Sequence, residues 1–246
     1  MLHILQTYPA TEGLLYGGSY NAAIILMVII AIVGAVVQMR LKAVTRRYSE
    51  SPSPNGMTGR EIAEKMLRDN GIYNVRVTHT SGHLTDHFDP QTMTVNLSDD
   101  VYNARTITAA AVAAHECGHA VQHATGYGPV KLRSQLVPVV NFSSRVAGWI
   151  ILAGIGFMTF SDSAAVCWVG IALMALSVLF AVVTLPVEYN ASQRAVAWLE
   201  SSGMLADKEL DGAHEALRWA ARTYLVAALS AIVTLLYYVA LINNRR

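Results

Sequence analysis

Charge is what this chain most conspicuously lacks. Only 14% of its 246 residues are Asp, Glu, Lys or Arg, against about a quarter in an ordinary soluble domain. Hydrophobic residues make up 53% and gather into runs. This excludes a simple soluble globule and points to a membrane protein with a polar insert. The formal net charge is +1, so there is no basic excess of the kind that nucleic acid would demand. Cysteine is scarce too. Cys117 sits in a polar motif and Cys167 in an apolar run, which is no disulfide framework. Residues 1–20 hold no Lys or Arg, so the basic n-region of a signal peptide is missing and none is expected. No apolar run carries a charge at its centre, where a transporter would place its coupling residues. Internal repeats and low-complexity tracts are absent.

What is present begins with four apolar runs. Asn21 to Met39 has about the 20 residues that a bilayer requires. Arg40, Lys42, Arg46 and Arg47 follow it and nothing basic precedes it. The positive-inside rule then predicts an extracytoplasmic N-terminus at 1–20, a span at 21–39 and a cytoplasmic domain at 40–135. Residues 136–187 read as a membrane hairpin, with Lys131 and Arg133 before it and its tip, Ser161-Asp162-Ser163, outside. Its first run passes Arg145, whose side chain could snorkel. Residues 188–222 return to the cytoplasmic side, 223–242 form a fourth span and 243–246 a short tail. Arg245-Arg246 would lie outside, a weak counter-signal.

The polar insert opens with a Ser- and Pro-rich linker, Ser49 to Gly56. Thr58-Gly59-Arg60-Glu61 is a capping box. The helix it starts carries Ile62, Ala63, Met66 and Leu67 on one face, and Gly71 closes it. Val75 to Thr80 and Met93 to Leu97 alternate and predict two strands. Ser81 to Pro90 between them reads as a polar loop. The strands could form an ordinary hairpin, or could offer a sheet edge on which an extended peptide adds as a further strand. His83 and His87 in the loop are candidate ligands or proton carriers, although loop histidines are usually neither.

Ile107 to Ala124 reads as one Ala-rich helix, capped by Thr106 or Thr108. It contains His115-Glu116-Cys117-Gly118-His119, the HExxH pattern. Residues four apart share a helix face, so His115 and His119 can offer two imidazole nitrogens to one metal ion. Zinc suits that donor set. Glu116 beside them can take the proton of a zinc-bound water and pass it to a leaving amine. Cys117 reads as small filler. A third ligand is required if one position is to stay open, and several residues compete for it. Glu188 follows Pro186, where a new helix running to Leu199 is expected to begin. His123 continues the face of His115 and His119, a further turn along. Asp211, in Leu210-Asp211-Gly212, would be the ligand in a scheme like that of the intramembrane site-2 proteases. Ser192 and Asn190 could orient a ligand, and His214 and Arg218 could stabilise an oxyanion. Gln122 and Thr125 exclude the metzincin pattern, which needs Gly and His there.

Two stretches carry a resemblance. Ser81-Gly-His-Leu-Thr-Asp-His-Phe-Asp-Pro90, Val95-Asn-Leu-Ser98, Val101-Tyr102 and Ala113-Ala-His-Glu-Cys-Gly-His-Ala-Val-Gln122 are similar to the YugP-type neutral zinc metallopeptidases of bacterial membranes. Glu188-Tyr189-Asn190-Ala191-Ser192 resembles the third-ligand segment of HtpX-type membrane metallopeptidases, Glu-Tyr-x-Ala-Asp, with Ser192 departing from the Asp. The resemblance implies His115, His119 and Glu188 as zinc ligands and Glu116 as catalytic base. The expected fold is mainly α. Four transmembrane helices would carry a small α+β, zincin-like domain of the gluzincin type on the cytoplasmic side of the cell membrane. The expected activity is zinc-dependent hydrolysis of peptide bonds at that surface, with protein or peptide substrates, membrane proteins among them. The lipid bilayer is a partner and nucleic acid is not. Two alternatives stay open: the site-2 scheme through Asp211, and a non-catalytic scaffold that only holds zinc.

Overall fold

The computed structural model describes residues 10–161 and 163–244, with side chains from Asn21 onward. The expectations for residues 1–9, for Asp162 at the hairpin tip and for Arg245-Arg246 fall outside the described residues. The elements run α1 (Ala10–Ser49), α2 (Gly59–Asp69), β1 (Arg76–His79), β2 (His87–Asp89), β3 (Thr94–Leu97), α3 (Asp99–Tyr102), α4 (Ile107–Ala124), α5 (Gly128–Phe157), α6 (Ala165–Ser201) and α7 (Asp207–Asn243).

Among the described residues, α1, α5, α6 and α7 are each long and apolar enough to cross a membrane. Their apolar sides find little cover within the chain. Ile32, Met39, Trp149, Leu152 and Leu236 are all more than half exposed, as side chains that meet lipid would be. Length matters as much as composition. At ~1.5 Å per residue, the 37 residues of α6 or α7 span ~55 Å, while a hydrocarbon core is ~30 Å thick. Both helices therefore project well beyond an apolar slab, and their polar ends build the domain that carries the site.

The sequence predicts a break in α6 at Pro186, with a new helix behind it. Instead α6 runs unbroken from Ala165 to Ser201 with Pro186 inside it. An interior proline forfeits one backbone hydrogen bond and costs about 3 kcal/mol in an exposed helix. Apolar helices packed on neighbours tolerate it, and here the next turns, Val187 and Ala191, are fully buried. Glu188 is thus a mid-helix residue and not one at a helix start. Gly128-Pro129 opens α5 with proline in its first turn.

The polar domain condenses around α4. Its alanines meet Ile62 and Met66 of α2, Val95 and Leu97 of β3, Ala195 and Leu199 of α6, and Leu217 of α7 in one buried cluster. Small side chains let that many elements approach a single helix. The capping box forms as predicted: Glu61 N–H donates to Thr58 Oγ1 at 3.2 Å and Thr58 N–H to Glu61 Oε2 at 2.7 Å. The stretch 49–56 is no free linker. Pro52 bridges Thr106, and Asn55 Nδ2 donates to Met204 O at 2.8 Å.

The sheet has three strands in the order β1-β3-β2. The two predicted strands, β1 and β3, pair in parallel, so they are not a hairpin with each other. The unpredicted β2, inside the presumed loop, pairs antiparallel to β3. Asp89 closes the β2–β3 turn, accepting from Gln91 N–H and Thr92 Oγ1, both at 2.8 Å. Asp86 anchors the other end of β2, accepting from Ser98 N–H at 2.7 Å and Ser98 Oγ at 2.9 Å. At three residues, His-Phe-Asp is too short to show alternation.

Candidate metal centre

Helix α4 is capped by Thr106, whose Oγ1 accepts from Ala109 N–H at 3.2 Å. Thr108, the other candidate cap, instead donates to Thr45 O at 3.1 Å. Nine residues past the cap comes His115, and its ring meets that of His119 edge to face on one side of the helix, centroids 4.8 Å apart. Gly118 lies between them in sequence and against α6 in space. A Cβ there would sit 2.6 Å from Ala191 O, closer than real atoms come. Glycine inside a helix is normally a cost. Here it lets α4 and α6 nearly touch, and that approach delivers Glu188.

Glu188 Oε2 lies 3.4 Å from His115 Nε2 and 3.5 Å from His119 Nε2. One ligand atom from each of the three residues falls within 4.8 Å of the others. Glu188 is only 2% exposed, and its Oε2 has no hydrogen-bond partner. A buried carboxylate oxygen without a partner is costly, and a cation among the three groups would relieve that cost. Burial alone would push the His119 imidazole down, but Glu188 and Glu116 beside it hold it above its ordinary value. The pocket favours positive charge.

The far nitrogens of both rings are tied off. His119 Nδ1–H donates to Gln122 Oε1 at 3.0 Å, and His115 Nδ1 lies 3.1 Å from Ser192 Oγ, which can accept from it. A proton on Nδ1 of each ring is the tautomer that turns both Nε2 lone pairs to Glu188, the arrangement that metal-ligating histidines almost always use. Gln122, fully buried, also donates through Nε2 to Val187 O at 2.8 Å and Asn190 Oδ1 at 3.0 Å. One amide thus fixes a histidine on α4 and grips the turn of α6 that carries Glu188. Ser192 and Asn190 were foreseen as orienting residues. Gln122 was noticed only as a mismatch to another motif. Its signal is the one amide of the helix, three positions after His119 and so on nearly the same face. Gln122→Ala should weaken zinc affinity ~10- to 100-fold, as measured by competition with a chelator of known affinity. An unchanged affinity would mean that Gln122 serves packing alone.

Glu116 stands outside the triad, 8% exposed. Its Oε2 accepts from Phe88 N–H of β2 at 3.1 Å. Since β2 pairs with β3 on its other side, that N–H comes from the free edge of the sheet. The edge therefore faces the HExxH helix.

The remaining candidates lie elsewhere. His123 is exposed, its ring 5.8 Å from Phe88. Asp211 is exposed on α7. His83 pairs with Asp100, and His87 Nδ1–H donates to Thr85 O at 2.7 Å. His214 and Arg218 line a cavity between α6 and α7 that Ser192 also touches. Cys117 is fully buried, and burial pushes its thiol far up, as expected of filler.

Residues 23–243 match the family described as "Putative neutral zinc metallopeptidase". The chain is 41% identical over 209 residues to the "Putative membrane protease YugP" of Bacillus subtilis (strain 168), covering 85% of this chain and 91% of that protein. No solved structure matches the chain. The likeness of residues 188–192 to the HtpX-type segment rests on the sequence alone.

Proposed function

From a chain that belongs to the neutral zinc metallopeptidase family, we propose a membrane-embedded zinc endopeptidase of the gluzincin type. It would hydrolyse peptide bonds at the cytoplasmic membrane surface. The observation that carries this reading is the convergence of His115 Nε2, His119 Nε2 and Glu188 Oε2, with both histidine Nδ1 atoms already satisfied. These three residues would hold the zinc. When bound there, zinc supplies a Lewis acid that polarises a carbonyl and brings the pKa of water to about 7.

The chain's own residues do the rest. Glu116 is the general base. Phe88 N–H occupies its Oε2, which leaves the other carboxylate oxygen to take a proton from water and return it to the leaving amine. The free edge of β2 beside Glu116 suits an extended substrate backbone, added as a further strand. The basic residues at 40–47 and 131–133 argue for a cytoplasmic site. The length of α6 and α7 beyond their apolar parts argues for a site at the surface rather than inside the bilayer. Asp211 does not support a site-2 scheme, since it lies exposed on a charged stretch of α7. A zinc-holding scaffold would give Glu116 no reason to sit beside the triad.

The test is cleavage of an unfolded, fluorescently labelled protein by detergent-purified full chain. Activity should vanish on chelation and return with stoichiometric zinc. A well-folded, zinc-loaded chain that cleaves neither unfolded nor membrane-protein substrates would overturn the proposal.

A further inference from the structure

A cavity of about 580 Å³ opens between the polar ends of α6 and α7, within the ~300–1,000 Å³ typical of ligand sites. Tyr189, Ser192 and Glu200 lie along one wall, and His214, Arg218 and Arg222 along the other. The spacing on each wall is helical, so the cavity is a groove running along both helices. The two helices are joined by the short turn 202–206 and run antiparallel. Residues far from that turn therefore share one end of the groove. That end holds Tyr189 and Ser192 from α6, and Arg218 and Arg222 from α7.

Two features give this groove a chemistry. First, it adjoins the metal centre: Ser192 lines it and its Oγ lies 3.1 Å from Nδ1 of His115, on the side of the ring away from Glu188, and Tyr189 lines it next to Glu188 in sequence. Second, it is basic at that same end. Among the described residues, neither Arg218 nor Arg222 has an ion pair or a hydrogen bond to another side chain. The Arg222 guanidinium lies 4.2 Å from the Trp219 ring centroid. Stacking uses the guanidinium's faces and leaves its in-plane N–H donors available. Glu200, the one acid of the groove, sits at the opposite end.

Building on the peptidase reading, we propose that this groove holds the part of the substrate chain that continues past the metal from the residues laid along the β2 edge. Arg218 and Arg222 would select an acidic side chain within a few residues of the scissile bond. The dimensions fit. From Tyr189 to Glu200 is ~16 Å along the helix at ~1.5 Å per residue, the length of about five extended residues at ~3.3 Å each. A lipid phosphate would occupy only the arginine end and leave the rest of the groove idle.

The test uses matched peptides around a common cleavable bond, with Glu or Gln at each flanking position in turn. Wild type, Arg218→Gln and Arg222→Gln are compared for kcat/KM. In parallel, binding of the same labelled peptides to zinc-loaded Glu116→Gln protein is measured. Wild type should favour Glu over Gln about tenfold or more at one or two neighbouring positions, the effect of a hydrogen bond to a charged group. Each arginine variant should bring that ratio towards one. Equal kcat/KM for Glu and Gln peptides throughout would overturn the groove proposal and leave the peptidase reading standing. So would arginine variants that lose binding to phosphatidylglycerol micelles but keep the peptide preference, since the groove would then serve lipid. If no peptide is cleaved but acidic peptides still bind Glu116→Gln about tenfold better, the groove stands and the peptidase reading falls.

Discussion

Glu116→Gln should remove nearly all peptide hydrolysis while leaving zinc at one per chain. The two readouts separate because the structure separates the two roles. His115, His119 and Glu188 converge on one point, whereas Glu116 faces the β2 edge and holds Phe88 N–H. Glutamine keeps an acceptor oxygen for that N–H and changes the volume little, so β2 should stay docked. It cannot take a proton from water. General-base catalysis is worth about 10²–10⁴ in rate, so a fall of about a thousandfold in kcat is the expected size. Zinc by elemental analysis and cleavage of a labelled unfolded protein, on one preparation, are the measurements. Undiminished cleavage would sink Glu116 as base. Lost zinc would mean that Glu116 supports the metal site and that the two roles are not separate.

Much of this arrangement could be read from the residues. The motif helix was placed to its ends because an Ala-rich run between Thr106 and Gly126 leaves little choice of period or boundary. The four apolar runs are plain because three of them are almost free of polar residues, and only the run of α5 is interrupted, by Asn141 to Arg145. The failures have physical causes. Pro186 looked like punctuation because the rule for proline comes from helices exposed to water. In α6 the flanking turns are buried against α4, and packing overrides the local penalty. The strand β2 escaped because three residues carry no periodicity. What specifies it is non-local: Asp86 reaching Ser98, and Phe88 reaching Glu116. Gln122 escaped because its partners, Val187 and Asn190, lie more than sixty residues away. Glu188 itself sat between these extremes. Its chemistry is shared by several residues, the likeness of 188–192 to the HtpX-type segment implies it as the ligand, and the close Gly118–Ala191 approach is what brings it to the histidines.

Glu188→Gln should destabilise the metal-free protein and abolish its response to zinc. Without zinc, the wild-type carboxylate is buried at 2% exposure, with Oε2 3.4 Å from His115 Nε2 and 3.5 Å from His119 Nε2, and it helps to hold the His119 imidazole above its ordinary value. Removing one partner of a buried ion pair costs about 3–5 kcal/mol, because the other charge is left uncompensated. The neutral amide does this at nearly constant volume. The metal-free variant should therefore melt below metal-free wild type. Zinc adds a second difference. A ligand at about a thousand times its dissociation constant stabilises the folded state by about 4 kcal/mol. For a chain of this size each kcal/mol moves the midpoint by roughly 2–4 °C, so zinc should raise the wild-type midpoint by on the order of 10 °C. Glutamine is a poor zinc ligand, and the variant should show little of that rise and little bound zinc. Thermal scans at one heating rate, with chelator and with excess zinc, give all four midpoints. A Glu188→Gln chain that keeps the full zinc-dependent rise would rule Glu188 out as the third ligand. A metal-free variant that melts at or above metal-free wild type would show that the pairing of Glu188 with the two histidines contributes nothing without metal. Only a residue that pairs with both histidines when the site is empty and binds the ion when it is loaded gives both the lowered first midpoint and the lost second rise.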